Sequence, residues 1–284
     1  MSRKICLAIL AISALQWASG AMAASQHLAQ ELYIKSGMEK QIQQVPNLIR
    51  SGFDQALKQD KNLQQMNRAV IAAMRDIIED AFEASKLKKT IMQAMEQDMS
   101  PEAMQAVINW LDSPLGKKCT RLEESASTVS GQQALQRFAM QLEKNPPSTQ
   151  RLGQAERLDE AIGATENHVN LTMNTQLAVS SAIMATLPKE KQIPFSELKN
   201  RIEQARPQIA AAVQMNILVS FLYVYQPLTS AELDGYIDFA NSREGVIYHQ
   251  ATIAGFKKAI LEASLTLGNS IGELLVQVNQ QEAM

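Results

Sequence analysis

Apolar residues recur at intervals of three and four along most of the chain, which is the period of a helix with one buried face. One stripe comprises Met66, Val70, Met74, Ile77, Ala81 and Ala84, within a segment from Leu63 to Ser100 that holds no Gly or Pro. A second comprises Met104, Val107, Ile108, Leu111, Leu115, Cys119 and Leu122. Strong helix formers dominate and no Asn-Gly or Asp-Gly hairpin signal occurs. The pattern predicts an all-α fold.

Polar residues mark where these helices start. Thr229 and Glu232 have the spacing of a capping box, in which each side chain satisfies a free backbone N–H. Ser113-Pro114 predicts that a helix ends and a new one starts, because proline is tolerated at a first helical position. Gly116 follows directly, and glycine there predicts a close approach of a neighbouring helix.

The chain repeats itself. Residues 100–116 align without a gap with residues 229–245, which lie 129 positions further along. The matched positions include Ser100/Thr229, Met104/Leu233, Ile108/Ile237, Trp110/Phe239, Ser113/Ser242 and Gly116/Gly245. Upstream, Leu32/Leu158, Gly37/Gly163, Val45/Leu171 and Phe53/Val179 correspond at 126 positions. Because Pro146-Pro147 stops any helix between the copies, we expect two helical-bundle units, residues 24–147 and 148–284, packed together.

The first 23 residues have the layout of a cleavable signal peptide. Arg3-Lys4 precede an apolar stretch from Ile5 to Leu15, and Ala21-Met22-Ala23 supplies the small-x-small pattern for cleavage between Ala23 and Ala24. The apolar stretch covers about 11 residues, whereas a helix needs roughly 20 to span a bilayer. We expect a soluble periplasmic or secreted product, with no membrane insertion after cleavage.

Charge and cysteine content narrow the function classes. Without Arg3 and Lys4 the chain has 25 basic and 29 acidic residues, a net charge of about −4, which argues against a nucleic-acid partner. Cys119 is then the sole thiol, so no intramolecular disulfide can form. Its place on an apolar stripe favours a buried small side chain over a reactive or dimer-forming thiol.

The repeated residues resemble a bacterial family known as domain of unknown function 2059 (DUF2059). The family signature combines a Thr-x-x-Glu-Leu helix start with a Ser-Pro-x-Gly-x-Lys turn. In this chain, the helix start is matched in the second copy by Thr229, Glu232 and Leu233, and the turn is matched in the first by Ser113, Pro114, Gly116 and Lys118. Ser242 and Gly245 retain part of the turn in the second copy, where Arg243 replaces the proline. The resemblance implies an exported helical domain and assigns no activity.

No motif for catalysis, metal or phosphate stands out. His27, His168 and His249 lie far apart, with no His-x-x-x-His or Cys-x-x-Cys spacing, and neither a Gly-x-Ser-x-Gly nor a Gly-x-x-x-x-Gly-Lys motif occurs. Neighbouring acids such as Glu123-Glu124 lie on different helix faces and are interpreted as solvated surface. We expect no cofactor.

Methionine clusters in one segment. Met92, Met95 and Met99 share a helix face, where three thioethers could bind Cu(I). Core packing is the preferred interpretation, since methionine fills irregular interiors.

Residues 207–231 contain no charged side chain. Such a helix should be buried nearly all round, and a central core helix packed against both copies is the preferred interpretation. The alternatives are a lipid-like ligand, a homodimer, or an amphipathic partner bound through Phe221, Tyr223 and Tyr225.

The sequence as a whole favours a non-enzymatic binding or supporting role in the cell envelope, with a second copy or an envelope protein as partner. The alternative is a hydrolase in which folding brings His168 or His249 beside serine or carboxylate side chains.

Overall fold

The computed structural model describes residues 24–59, 67–142, 144–186 and 192–282, and within these ranges the chain is helical with no strand. The predicted all-α class is confirmed. The predicted signal peptide, residues 1–23, lies outside the described residues.

The helices follow one another with short connections. The first half contains α1 (24–35), α2 (Met38–Gln59), α3 (Arg68–Ala81), α4 (Ala84–Asp98), α5 (Pro101–Leu111), α6 (Pro114–Ser127) and α7 (Val129–Gln141). The second half contains α8 (Thr149–Ile162), α9 (Ala164–Thr186), α10 (Phe195–Gln204), α11 (Arg206–Val224), α12 (Ser230–Asn241) and α13 (Arg243–Glu282).

The α5–α6 and α12–α13 junctions are built alike. The Ser113 hydroxyl accepts a hydrogen bond from the Gly116 N–H at 3.0 Å, and the Ser242 hydroxyl accepts one from the Gly245 N–H, also at 3.0 Å. A Cβ on Gly116 would collide with the Trp110 carbonyl oxygen at the end of α5. The close approach predicted at this glycine is present, and the preceding helix makes it. The capping box of Thr229 and Glu232 is also present.

The α1–α2 and α8–α9 turns each depend on a left-handed glycine. Gly37 has φ +73° and Gly163 has φ +67°, and no other described residue has a positive φ. A side chain is strained in this conformation, so glycine lets each helix pair fold back without a longer loop.

One hydrophobic core is shared by both halves. It includes Leu32, Ile91 and Met95 from the first half, and Leu158, Leu233, Ile237 and Ala259 from the second. The long helix α13 packs against α4 in the first half and α9 in its own half. The rings of Trp110 and Phe239, which occupy matching positions, stack with centroids 3.8 Å apart. The two halves thus bury their apolar faces in each other.

The prediction that residues 207–231 form a central core helix is wrong. Leu222 is the buried residue of α11, and Met215 is 64% exposed. The first turns of α11 instead cover a small second cluster of Val169, Met173 and Ile202. A helix of apolar composition can be buried, but its burial also requires enough neighbouring helices to pack around it. By length and composition alone, α11 and residues Arg243–Val278 of α13 could each span a membrane.

Candidate functional site: a cavity between the two halves

A cavity of about 440 Å³ lies where the two halves meet, within the size range of small-molecule sites. Its apolar wall includes Met38, Ile42, Val45, Leu48, Ile162, Leu171, Ile253 and Phe256. Its polar groups include Ser36, Gln41, Glu123, Asn167, His168, Tyr225, Tyr236, Tyr248, His249, Thr252 and Lys257. Such a wall suits a ligand with an apolar body and a polar group.

Glu123 brings a carboxylate from α6 into this cavity. The Tyr225 hydroxyl donates a hydrogen bond to Glu123 Oε1 at 2.8 Å, and the Tyr236 hydroxyl approaches the same atom at 3.4 Å. Among the described residues, no hydrogen bond reaches Oε2 and no salt bridge includes Glu123. Burial raises the pKa of Glu123 to about 7, despite the two hydrogen bonds that favour its charged form.

A further polar atom lacks a partner. His249 Nε2 on α13 is buried and makes no hydrogen bond, while the Thr252 side chain, three residues further on, interacts with the Tyr248 hydroxyl. Burial lowers the pKa of His249 to about 4, so its ring is neutral at pH 7. Burial also lowers the pKa of His168, which reaches the cavity from α9. Because native proteins rarely leave buried polar atoms unpaired, His249 Nε2 points to a site for a ligand.

The cavity wall is built from matching positions of the two halves. Residues 126 positions apart line it in pairs, namely Ser36 and Ile162, Met38 and Ala164, Gln41 and Asn167, Ile42 and His168, and Val45 and Leu171. At the 129-position spacing, Glu123 pairs with Thr252 and Ser127 with Phe256. The first of these pairs directly precedes the left-handed glycines Gly37 and Gly163.

The aromatic residues predicted as an interaction face turn inward. Tyr225 is buried and bonded to Glu123, while Phe221 packs against the core. Tyr223 is half-buried, with its ring 5.6 Å from that of Phe138. These side chains contact their own chain, so the exposed apolar surface of α11 lies nearer its N-terminus.

The other candidates lie elsewhere. Met95 and Met99 are buried in the core and Met92 is partly buried against it, which is the core packing that the sequence favours for these residues. Among the described residues, no group of three or more His, Cys, Asp or Glu is arranged to hold a metal. Cys119 is free and buried, and burial raises its thiol pKa to about 12.

Sequence reasoning missed Glu123. The interpretation of Glu123-Glu124 as solvated surface is wrong. Glu123 borders the cavity. Glu124 packs over Gly37, and its carboxylate forms a salt bridge with Lys40 at 2.8 Å. A signal was available: Glu123 follows Cys119 by four residues and thus lies beside the apolar stripe of α6.

Comparison with known proteins gives one match. Residues 85–144, which span nearly all of α4 through α7, match the family described as an uncharacterized protein conserved in bacteria (DUF2059). The predicted resemblance is therefore confirmed over this segment. No curated protein and no solved structure matches the chain.

Proposed function

We propose that this chain, which carries the DUF2059 match in α4–α7, is an exported helical protein that binds a small molecule in the cavity between its halves. One observation carries the proposal. An apolar-walled cavity is lined by a carboxylate without a cationic partner and by the buried His249 Nε2, which makes no hydrogen bond.

The hydrogen bonds and pKa values of the cavity residues favour binding over catalysis. The cavity does bring His168, His249, Ser36 and Glu123 together, as a hydrolase would require. However, within the described residues neither histidine is hydrogen-bonded to a serine or a carboxylate, and the Ser36 hydroxyl donates to the Tyr33 carbonyl. A histidine with a pKa of about 4 is also a weak general base at neutral pH.

We also propose that the chain arose as two copies of one unit, residues 24–147 and 148–284. The matched wall positions, the two left-handed glycine turns and the two serine-capped junctions support this. Duplication accounts for a cavity at the seam, because corresponding positions of both copies line it.

Export is tested by expressing the full chain in a bacterium and sequencing the N-terminus of the product. We expect a periplasmic protein that begins at Ala24, and we expect Ala23→Arg to leave the precursor uncut because signal peptidase requires a small residue there. A cytosolic chain that keeps residues 1–23 would refute export.

Ligand binding is tested by filling the cavity. Leu171→Trp places a large ring on the cavity wall, and Met215→Trp is the matched control on the exposed surface of α11. Small molecules extracted from the folded proteins are compared by mass spectrometry. A compound recovered from the wild type and the control, but not from Leu171→Trp, is the expected result. Equal recovery from both variants, or no bound compound with any of them, would contradict the proposal.

A further inference from the structure

We infer that the ligand is a small organic cation, an ammonium group on an apolar body, and that Glu123 binds its charge. The inference rests on the proposed function, because it specifies the ligand class for the same cavity. It follows from which charges are paired around Glu123 and which hydrogen-bonding groups are free.

Two lysines of the surrounding helices are each paired with an acid other than Glu123. Lys118 forms a salt bridge with Glu232 at 2.7 Å, and Lys40 forms one with Glu124. Lys257 borders the cavity but forms no salt bridge with Glu123, and both residues are among those described. A carboxylate held partly out of water without a cation beside it is costly in its charged form. A cationic ligand supplies the missing charge.

The free groups suit an ammonium. An ammonium has only hydrogen-bond donors, and Glu123 Oε2 and His249 Nε2 can each accept one. Tyr225, Tyr236 and Tyr248 add aromatic rings to the same wall, and ring faces attract organic cations. An anionic ligand would instead face the Glu123 carboxylate directly.

Protonation of Glu123 should compete with such a ligand. The titratable groups around it are Glu124 and Cys119 on α6, Tyr225 after α11, Tyr236 on α12, His168 on α9, and Tyr248, His249 and Lys257 on α13. Glu123, whose pKa is raised to about 7, changes charge near neutrality, whereas burial keeps His249 neutral there. Affinity for a cation should therefore fall about tenfold per pH unit below pH 7.

The test uses hexylammonium, hexanol and hexanoate, which share one apolar body and differ in charge. Their affinities for the processed wild-type protein are measured by calorimetry at pH 8 and pH 5. Glu123→Gln removes the charge inside the cavity, and Glu124→Gln is the matched control outside it. Circular dichroism verifies that both variants are folded.

At pH 8 we expect hexylammonium to bind at least about tenfold more tightly than hexanol, as expected of a charge-assisted hydrogen bond in a low-dielectric site. Glu123→Gln should abolish this preference while hexanol binding persists, and Glu124→Gln should retain it. Equal or tighter binding of hexanol or hexanoate would overturn the cation inference and leave ligand binding in the cavity standing. A cavity that binds none of the three, in a protein that also yields no extracted compound, would overturn both.

Discussion

Glu123 extends the buried face of α6 into the cavity, where two tyrosine hydroxyls contact one of its oxygens. Those hydrogen bonds favour the charged carboxylate, whereas burial opposes it, and burial has the larger effect on the pKa. The residue is thus held near its titration midpoint at neutral pH, a costly arrangement for a protein without a ligand there.

We expect Glu123→Gln to stabilise the unliganded protein at pH 8. The folded pKa of about 7 exceeds the usual value of 4.5, so the stabilising effect of this carboxyl group is complete below about pH 4.5 and is lost as the pH rises through 7. A neutral amide avoids that loss, which is at most about 3 kcal/mol at 1.36 kcal/mol per pKa unit. Urea unfolding at pH 8 and pH 4.5 should show the advantage at pH 8 alone.

Glu124→Gln is the control for this comparison, because Glu124 is paired with Lys40 outside the cavity. His249 titrates in the opposite sense: its lowered pKa gives stability that is present above pH 6.5 and is lost as the pH falls through about 4. That effect is common to all three proteins and cancels in the differences. An equal gain for both variants at pH 8 would refute the role of Glu123.

The sequence could have indicated Glu123 but not its partners. A carboxylate beside an apolar stripe is a local anomaly that helical spacing reveals. Tyr225 and Tyr236 reach it from two other parts of the chain, and no local pattern specifies which side chains meet across a core. His168 and His249 share a cavity only because α9 and α13 pack together.

At the scale of helices, prediction succeeded where the physics is local. The Ser113 cap and the Thr229 capping box each depend on hydrogen bonds within a few residues, and both are present. The predicted burial of α11 was wrong because burial depends on neighbours from distant segments. The absence of charged residues from positions 207–231 does not specify which segments of the chain pack against α11.

Substitutions in α11 should distinguish its covered and open faces. Leu222→Ala removes a side chain that is 6% exposed, and we expect it to destabilise the protein by about 2–4 kcal/mol. Met215→Ala, at a 64% exposed position, should change stability by less than about 0.5 kcal/mol. Thermal unfolding measures both. A large loss for Met215→Ala would mean that another chain or surface covers this helix.

The α5–α6 junction permits a second test at this scale. A methyl group on Gly116 would strike the Trp110 carbonyl oxygen and approach the Leu111 Cα to 2.7 Å. Backbone atoms cannot move aside as a flexible side chain can, so Gly116→Ala should cost roughly 1–3 kcal/mol.

Gly153→Ala is the matched control, because no atom beyond the neighbouring residues and backbone of its own helix lies within 4 Å of the added methyl group in α8. It should stabilise the protein by roughly 0.5–1 kcal/mol through helix propensity. If both substitutions had the same effect on urea unfolding, the tight junction would not be a determinant of stability.

At the scale of the whole molecule, the halves do not have separate principal cores. Ile91 and Met95 of α4 belong to the same cluster as Leu233 and Ala259 of the second half. Gly255 lets α13 approach α4 so closely that a methyl group there would lie 3.0 Å from the Ile91 Cα. Units that look like independent domains in the sequence are therefore interdependent in packing.

This sharing predicts a single cooperative unfolding transition. Loss of either half would expose the apolar face of the other, so neither half should remain folded alone. Calorimetry of the processed protein should show one peak whose calorimetric and van't Hoff enthalpies agree. Hydrogen exchange should be fastest around the small cluster of Val169, Met173 and Ile202, which lies apart from the shared core. Two separate transitions, or a stable isolated segment 148–284, would show that each half folds by itself and that the cavity between the halves forms only by docking.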